Sequence, residues 1–301
     1  MRRFGYFMLA FVPFIIVEGI QIFSVLFMLL FSSLFGIDDL DNLLMDESFN
    51  TMIMIIYTLI TICAFGIWYY CCYEGEYIKN VGKKFNPLMV LGVLALIPGA
   101  QFASNYICVF IYLIKPDWWD RYEELMESSG LSEISFLIVL YAVILGPICE
   151  ELIFRGLTLR MFNRSVSFWV ANICQAVLFG IFHMNIVQGI YACALGILLG
   201  YICEKSGHIY YSIFMHILFN FWGTVISTLL SEISSSVFTE LLIFVLTIVS
   251  FIIGFTLFHR GLSERDKLEE TSVEIPSKIY KQNRCRYSSN PHQEDLQRFL
   301  L

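Results

Sequence analysis

Three short stretches set ionisable or amide side chains at helical spacing inside otherwise uncharged sequence. They are EELIFR from Glu150 to Arg155, FGIFH from Phe179 to His183, and HILFN from His216 to Asn220. A carboxylate can act as a general base, an imidazole can carry a proton or ligate a metal, and guanidinium and amide N–H groups can donate to an anion. Acting on a bound water, such groups are what peptide hydrolysis requires. Glu151 and Arg155 are i,i+4, so they share a helix face and can pair. Glu150 is rotated by about 100° from Glu151 and is expected to look elsewhere. His216 and Asn220 are also i,i+4 and can converge on one point.

The rest of the chain makes these charges conspicuous. Of its 301 residues, 57% are hydrophobic and only 15% charged, with a mean hydropathy of +0.70. A soluble domain of this length carries more charge, and the apolar residues here come in long runs, as in membrane proteins. The formal net charge is −7 and the pI about 5.3, so nothing points to nucleic acid. The nine cysteines are scattered, several within apolar runs, and no pair has metal-finger spacing. They read as small apolar residues rather than a disulfide set. The N-terminal MRRF leads into an apolar run that reaches Phe35 with no small-residue cleavage site, which predicts a retained first span rather than a signal peptide.

The predicted fold class is all-α: a polytopic transmembrane helical bundle of about eight spans with a four-helix catalytic core. The spans fall near 5–35, 51–73, 86–114, 134–163, 167–184, 186–203, 208–230 and 237–258. Each is close to the ~20 residues a bilayer helix needs. The chain divides into N-terminal membrane helices over 1–130, a core over 131–230 that holds every motif, a last span over 231–258, and a polar tail over 259–301 expected to be disordered. Lys and Arg cluster at alternate loops: Arg2 and Arg3, then Lys79, Lys83 and Lys84, then Arg160 and Arg164, then Lys205, then Arg260. The positive-inside rule then puts both termini in the cytoplasm, with Lys115 and Arg121 as the exceptions on the outer side. Gly196 and Gly200 form a GxxxG in the sixth span, a spacing that marks close helix packing.

Ionisable groups at membrane depth are costly and are functional candidates for that reason. They are Glu18, Glu150, Glu151, Arg155, His183 and His216, with the amide of Asn220 at similar depth. Singly, each has a plainer explanation. A Glu near a helix end can snorkel to water, His183 can be interfacial, His216 can be a satisfied core histidine, and Glu18 has no visible partner. Jointly they match in depth. Counting helical rise from the turn near Ser165 puts Glu150 within about one turn of His183, and His216 lies about two turns from His208. On that count the elements meet in the cytoplasmic half of the bilayer, around a cavity open toward the cytoplasm.

In pattern the three stretches read EExxxR, FxxxH and HxxxN, in that order on consecutive motif-bearing helices. The ordered set, over about residues 135 to 225, resembles the CAAX prenyl endopeptidase and bacteriocin-processing (CPBP, Abi) family of intramembrane proteases. The segment LGILLGYICEKSG, ahead of the third motif, is similar as well. The first three spans, the last span and the tail match nothing nameable. The resemblance implies a membrane-embedded core that hydrolyses peptide bonds. By position, Glu150 would activate the water, Glu151 and Arg155 would pair and hold it in place, His183 would orient the water or share the proton, and His216 and Asn220 would complete the site.

Two routes fit these residues. In one, zinc bound by His183, His216 and a glutamate lowers the pKa of the water. In the other no metal is used: Glu150 is the base, and His216 with Asn220 donates to the oxyanion. The family is usually catalogued among metalloproteases, whereas an amide is a poor zinc ligand and a good oxyanion donor. The implied partners are membrane lipid and a peptide or lipidated peptide, such as a prenylated C-terminal peptide or a bacteriocin or pheromone precursor, and the location the resemblance implies is a bacterial cell membrane. A non-catalytic membrane immunity or regulatory protein could use the same fold, but a scaffold need not keep costly polar groups in lipid.

Overall fold

The computed structural model describes residues 2–34, 47–73, 85–128, 135–227 and 236–288. Every element among them is helical: α1 (Arg2–Leu9), α2 (Val12–Leu34), α3 (Glu47–Tyr73), α4 (Pro87–Ile114), α5 (Pro116–Ser128), α6 (Phe136–Asn163), α7 (Phe168–Phe182), α8 (Ile186–Ser206), α9 (Ile209–Ile226) and α10 (Val237–Ser288). Seven helices are long and apolar enough to cross a bilayer, with α1 and α2 acting as one. The eighth expected span is α7, which has only 15 residues. Lipid leaves backbone groups no partners except their own, so an apolar chain of this kind must be helical.

Two boundaries differ from expectation. The stretch PDWWDRYEELMES is a further helix, α5, polar enough to lie beside the bundle rather than within it. The last helix does not end at 258 but continues to Ser288. The helix-forming Leu, Glu, Lys and Arg in GLSERDKLEE let it carry on beyond the apolar run. Of the tail expected to be disordered, residues 289–301 lie outside the described residues.

The longest contact is between α4 and α10, and glycines permit it. A Cβ on Gly92 would stand 2.5 Å from the backbone nitrogen of Phe258, and one on Gly254 would stand 2.6 Å from Leu96. Pro98 interrupts α4, and a proline inside a helix frees neighbouring backbone groups. Ser250 of α10 meets that need: its hydroxyl accepts from the Gly99 N–H at 2.8 Å and donates to the Ala95 carbonyl. At the start of α4, Asn86 accepts from the N–H groups of Leu88 and Met89, and its own N–H donates to the Tyr211 hydroxyl.

The hairpin α7–α8 closes as tightly. Gly180 and Gly189 face each other so closely that a Cβ on either would fall within 2.8 Å of the other's carbonyl oxygen. Further down the same pair, a Cβ on Gly200 would land 1.9 Å from the Asn172 amide oxygen. The GxxxG of α8 is therefore a packing seam, and its partner is α7.

The two ends of the bundle differ in charge. Arg164 lies over the Tyr6 ring, Arg160 donates to the Tyr69 hydroxyl, and Arg265 donates to the Ser206 carbonyl. These contacts gather the start of α1 and the ends of α3, α6 and α8 at one basic end, beside α10. The opposite end carries α5, the α7–α8 turn and the end of α9.

Replacing Gly92 by alanine should destabilise the protein by about 1–3 kcal/mol, because backbone rather than a pliable side chain must give way. Gly66→Ala, where nothing lies within 4 Å of the added carbon, should cost nothing. Thermal unfolding of the detergent-solubilised variants separates the two, and equal melting of both would refute the seam.

Candidate active site

The motif-bearing helix α6 is not a regular α-helix. Two π-helical stretches, Leu140–Leu145 and Leu152–Thr158, flank the α-helical turn from Gly146 to Glu151. Such wide turns concentrate at functional sites. The first has a local cause. The Gly146 N–H bonds back five residues to the Tyr141 carbonyl, and Pro147 has no N–H to offer. The Ala142 carbonyl accepts instead from the Asn220 amide of α9, at 2.8 Å. Asn220 thus has one structural duty the sequence did not suggest: it closes a gap that Pro147 leaves in the facing helix.

Beyond that gap stand the glutamates. Glu151 and Arg155 are both fully buried and form an ion pair at 2.7 Å, as their spacing predicts. The guanidinium lies 4.4 Å over the Phe179 ring and reaches toward the Gly196 carbonyl. That carbonyl also accepts from Gln175 at 2.9 Å. The phenylalanine of FxxxH is therefore the floor on which the cation rests. Its ring edge also meets His183 and His216, with centroids 4.9 and 5.7 Å apart.

Glu150 does not look elsewhere. His216 lies between the two glutamates: its Nδ1 is 2.9 Å from Glu151 Oε1 and its Nε2 is 3.6 Å from Glu150 Oε2. The 100° estimate misses this because the shared partner sits on α9, between the two directions. A carboxylate oxygen accepts, so Nδ1 of His216 carries the proton that goes to Glu151. By the same logic, His183 Nδ1 donates to the Phe179 carbonyl at 2.8 Å, so neutral His183 keeps Nε2 as an acceptor.

Glu150, His183, His216 and Asn220 all line one cavity of about 1210 Å³. Glu150 is the glutamate that reaches it, with 16% of its side chain exposed against 0% for Glu151. Tyr57 and Tyr141, hydroxyl to hydroxyl at 3.0 Å, are in the same wall. The cavity is also lined by Asp120 and Glu123 of α5 and by Met184. It therefore reaches the end of the bundle away from the basic loops. Depth counted from the nearest basic turns puts the site closer to those turns, whereas His183 closes α7 at its far end.

The remaining candidates are quickly placed. Glu18 has one buried carboxylate oxygen without a hydrogen-bond partner and is not among the cavity's lining residues. The eight cysteines with described side chains are free. Among the described residues no three His, Cys, Asp or Glu side chains group as a metal site. A zinc site takes three or four such ligands, and both nitrogens of His216 already face carboxylates. The donors as placed do not fit a resident zinc. Sequence reasoning passed over Asn172 and Gln175, which are fully buried and brace α7 against the Ile197 and Gly196 carbonyls of α8. The signal was there, since both are strong amides inside an apolar helix, like Asn220.

Residues 132–222 match the family described as type II CAAX prenyl endopeptidase Rce1-like. A stretch of 84 residues is 29% identical to the "Putative membrane peptidase YdiL" of Bacillus subtilis, covering 28% of this chain and 34% of that protein. The match thus spans about a third of the relative's length. No solved structure matches the chain. The resemblance of the motif-bearing segment to the CAAX prenyl endopeptidase and bacteriocin-processing family is borne out.

Removing one member of the buried pair leaves a lone charge in the core, at a cost of about 3–5 kcal/mol. Glu151→Gln and Arg155→Gln should each melt well below the unsubstituted protein, and the double variant should recover part of the loss. A double variant no more stable than either single one would show that the charges are not coupled.

Proposed function

We propose that the protein is an intramembrane endopeptidase that hydrolyses peptide bonds of membrane-associated peptides, with Glu150 as the base. The observation that carries this reading is the convergence of Glu150, His183, His216 and Asn220, from three helices, on one cavity. Membership of the motif-bearing segment in a family of membrane proteases supports it.

The geometry suggests the following division of labour. Glu150 takes a proton from a water whose other hydrogen is accepted by His183 Nε2, and the water oxygen adds to the scissile carbonyl carbon. The carbonyl electron pair moves onto its oxygen. The second Nδ2 hydrogen of Asn220, not used on Ala142, is a donor for that oxyanion. On collapse the C–N bond breaks and Glu150 returns the proton to the leaving nitrogen. Glu151 and Arg155 are positioning residues. Glu151 fixes the ring of His216, and the pair holds the helix turn that aims Glu150.

We further propose that the basic end of the bundle faces the cytoplasm of a bacterial cell, with both termini on that side. Arg160, Arg164, Lys205 and Arg265 are placed there together, as the positive-inside rule expects.

Glu150→Gln should abolish cleavage while leaving protein level and melting temperature unchanged. Mass spectrometry of cells carrying it should find peptides that accumulate and that vanish when the unsubstituted protein is restored. If both proteins leave the same peptides, the enzymatic reading fails. Cys285 should react with a membrane-impermeant maleimide only after cells are opened; labelling in intact cells would invert the orientation.

A further inference from the structure

Resting on the reading above, we infer that the substrate is a cationic peptide segment that enters from the non-cytoplasmic face and is gripped by Gln101. Two independent observations lead there. The first is the mouth of the cavity. Helix α5 contributes Asp120 and Glu123 to the cavity wall, and its sequence carries Asp117, Glu124 and Glu127 as well, against Arg121, with Lys115 just ahead of it. Both lining carboxylates are exposed, and Glu123 is held by the Trp119 indole N–H at 2.7 Å. Apart from the two histidines, the lining includes no Lys, Arg or His among the described residues. An acidic mouth over low-dielectric walls focuses a field that draws in cations and repels anions.

The second observation lies deeper. Gln101 of α4 is only 7% exposed, lines the same cavity, and its amide oxygen is buried without a hydrogen-bond partner. Burying an amide oxygen unpaired costs free energy, and an extended peptide laid along this wall supplies the missing donor through a backbone N–H. Gln101 lies outside the segment shared with the protease family, residues 132–222. It belongs to the part of the chain free to set which peptide is taken, rather than how it is cut.

The test measures binding, not hydrolysis, so its outcome is separable from that of the protease reading. Full-length protein carrying Glu150→Gln is placed in lipid nanodiscs. Two fluorescent peptides with one apolar sequence, flanked by paired lysines or paired glutamates, are titrated in. The lysine-flanked probe should bind at least tenfold more tightly, and the margin should shrink as salt rises. Adding Asp120→Lys with Glu123→Lys should erase or reverse the preference. Gln101→Leu should weaken both probes alike, by about fivefold or more. Equal binding of the two probes, or a preference untouched by the charge reversal, would overturn the cationic substrate. Unchanged affinity in Gln101→Leu would overturn the grip. For the side of entry, Arg121→Cys should gain labelling by a membrane-impermeant maleimide in intact cells. A gain seen only after permeabilisation would overturn non-cytoplasmic entry, whether or not any peptide is cleaved.

Discussion

A carboxylate and a guanidinium that have both lost water can persist inside a bilayer only by holding each other. Glu151 and Arg155 are in that position, and the site is arranged around them. Desolvation makes each charge expensive alone, and three neighbours of the pair lower the cost. Phe179 offers its ring face, Gly196 turns a carbonyl toward the cation, and His216 gives its Nδ1 proton to the anion. Those neighbours come from α7, α8 and α9. The pair therefore fixes where three helices stand relative to α6, and Glu150, one residue away, inherits a fixed position toward the cavity.

The motifs take on separate meanings in this light. In FxxxH the phenylalanine supports the cation and the histidine meets the cavity, with its Nδ1 tied to the carbonyl of that same phenylalanine. In HxxxN the histidine bridges two glutamates. The asparagine mends a backbone break caused by Pro147 and also lines the cavity. A single side chain thus joins the integrity of α6 to the chemistry beside it. Replacing such a residue disturbs fold and function together, and an activity loss alone would misassign its role.

Much of this was readable beforehand. The long apolar runs required helices, and the rarity of charge within them singled out Glu150, Glu151, Arg155, His183 and His216. The i,i+4 rule foretold the ion pair because it depends on one helix only. What escaped depends on more than one helix. No spacing rule on α6 says that His216 reaches both glutamates, since the meeting is made by α9. The π-helical turns arise from Pro147 and from packing, and periodicity arguments assume they are absent. The short α7 passed as a full span because Ser167, His183 and Met184 at its ends were counted with its apolar run. The depth count then put the site closer to the basic turns than it lies.

The shortness of α7 has one more consequence. Its 15 residues extend ~22 Å at 1.5 Å per residue, while the hydrocarbon core of a bilayer is ~30 Å thick. The remaining depth cannot be filled with helix at this point. Lipid beside α7 must thin, or water must descend to meet it, and both responses to hydrophobic mismatch are mild in cost. His183 sits at that end, where the apolar layer is interrupted. On the proposed reading, a hydrolase embedded in oil has to obtain water from outside it, and the short helix marks where the apolar layer is thinnest.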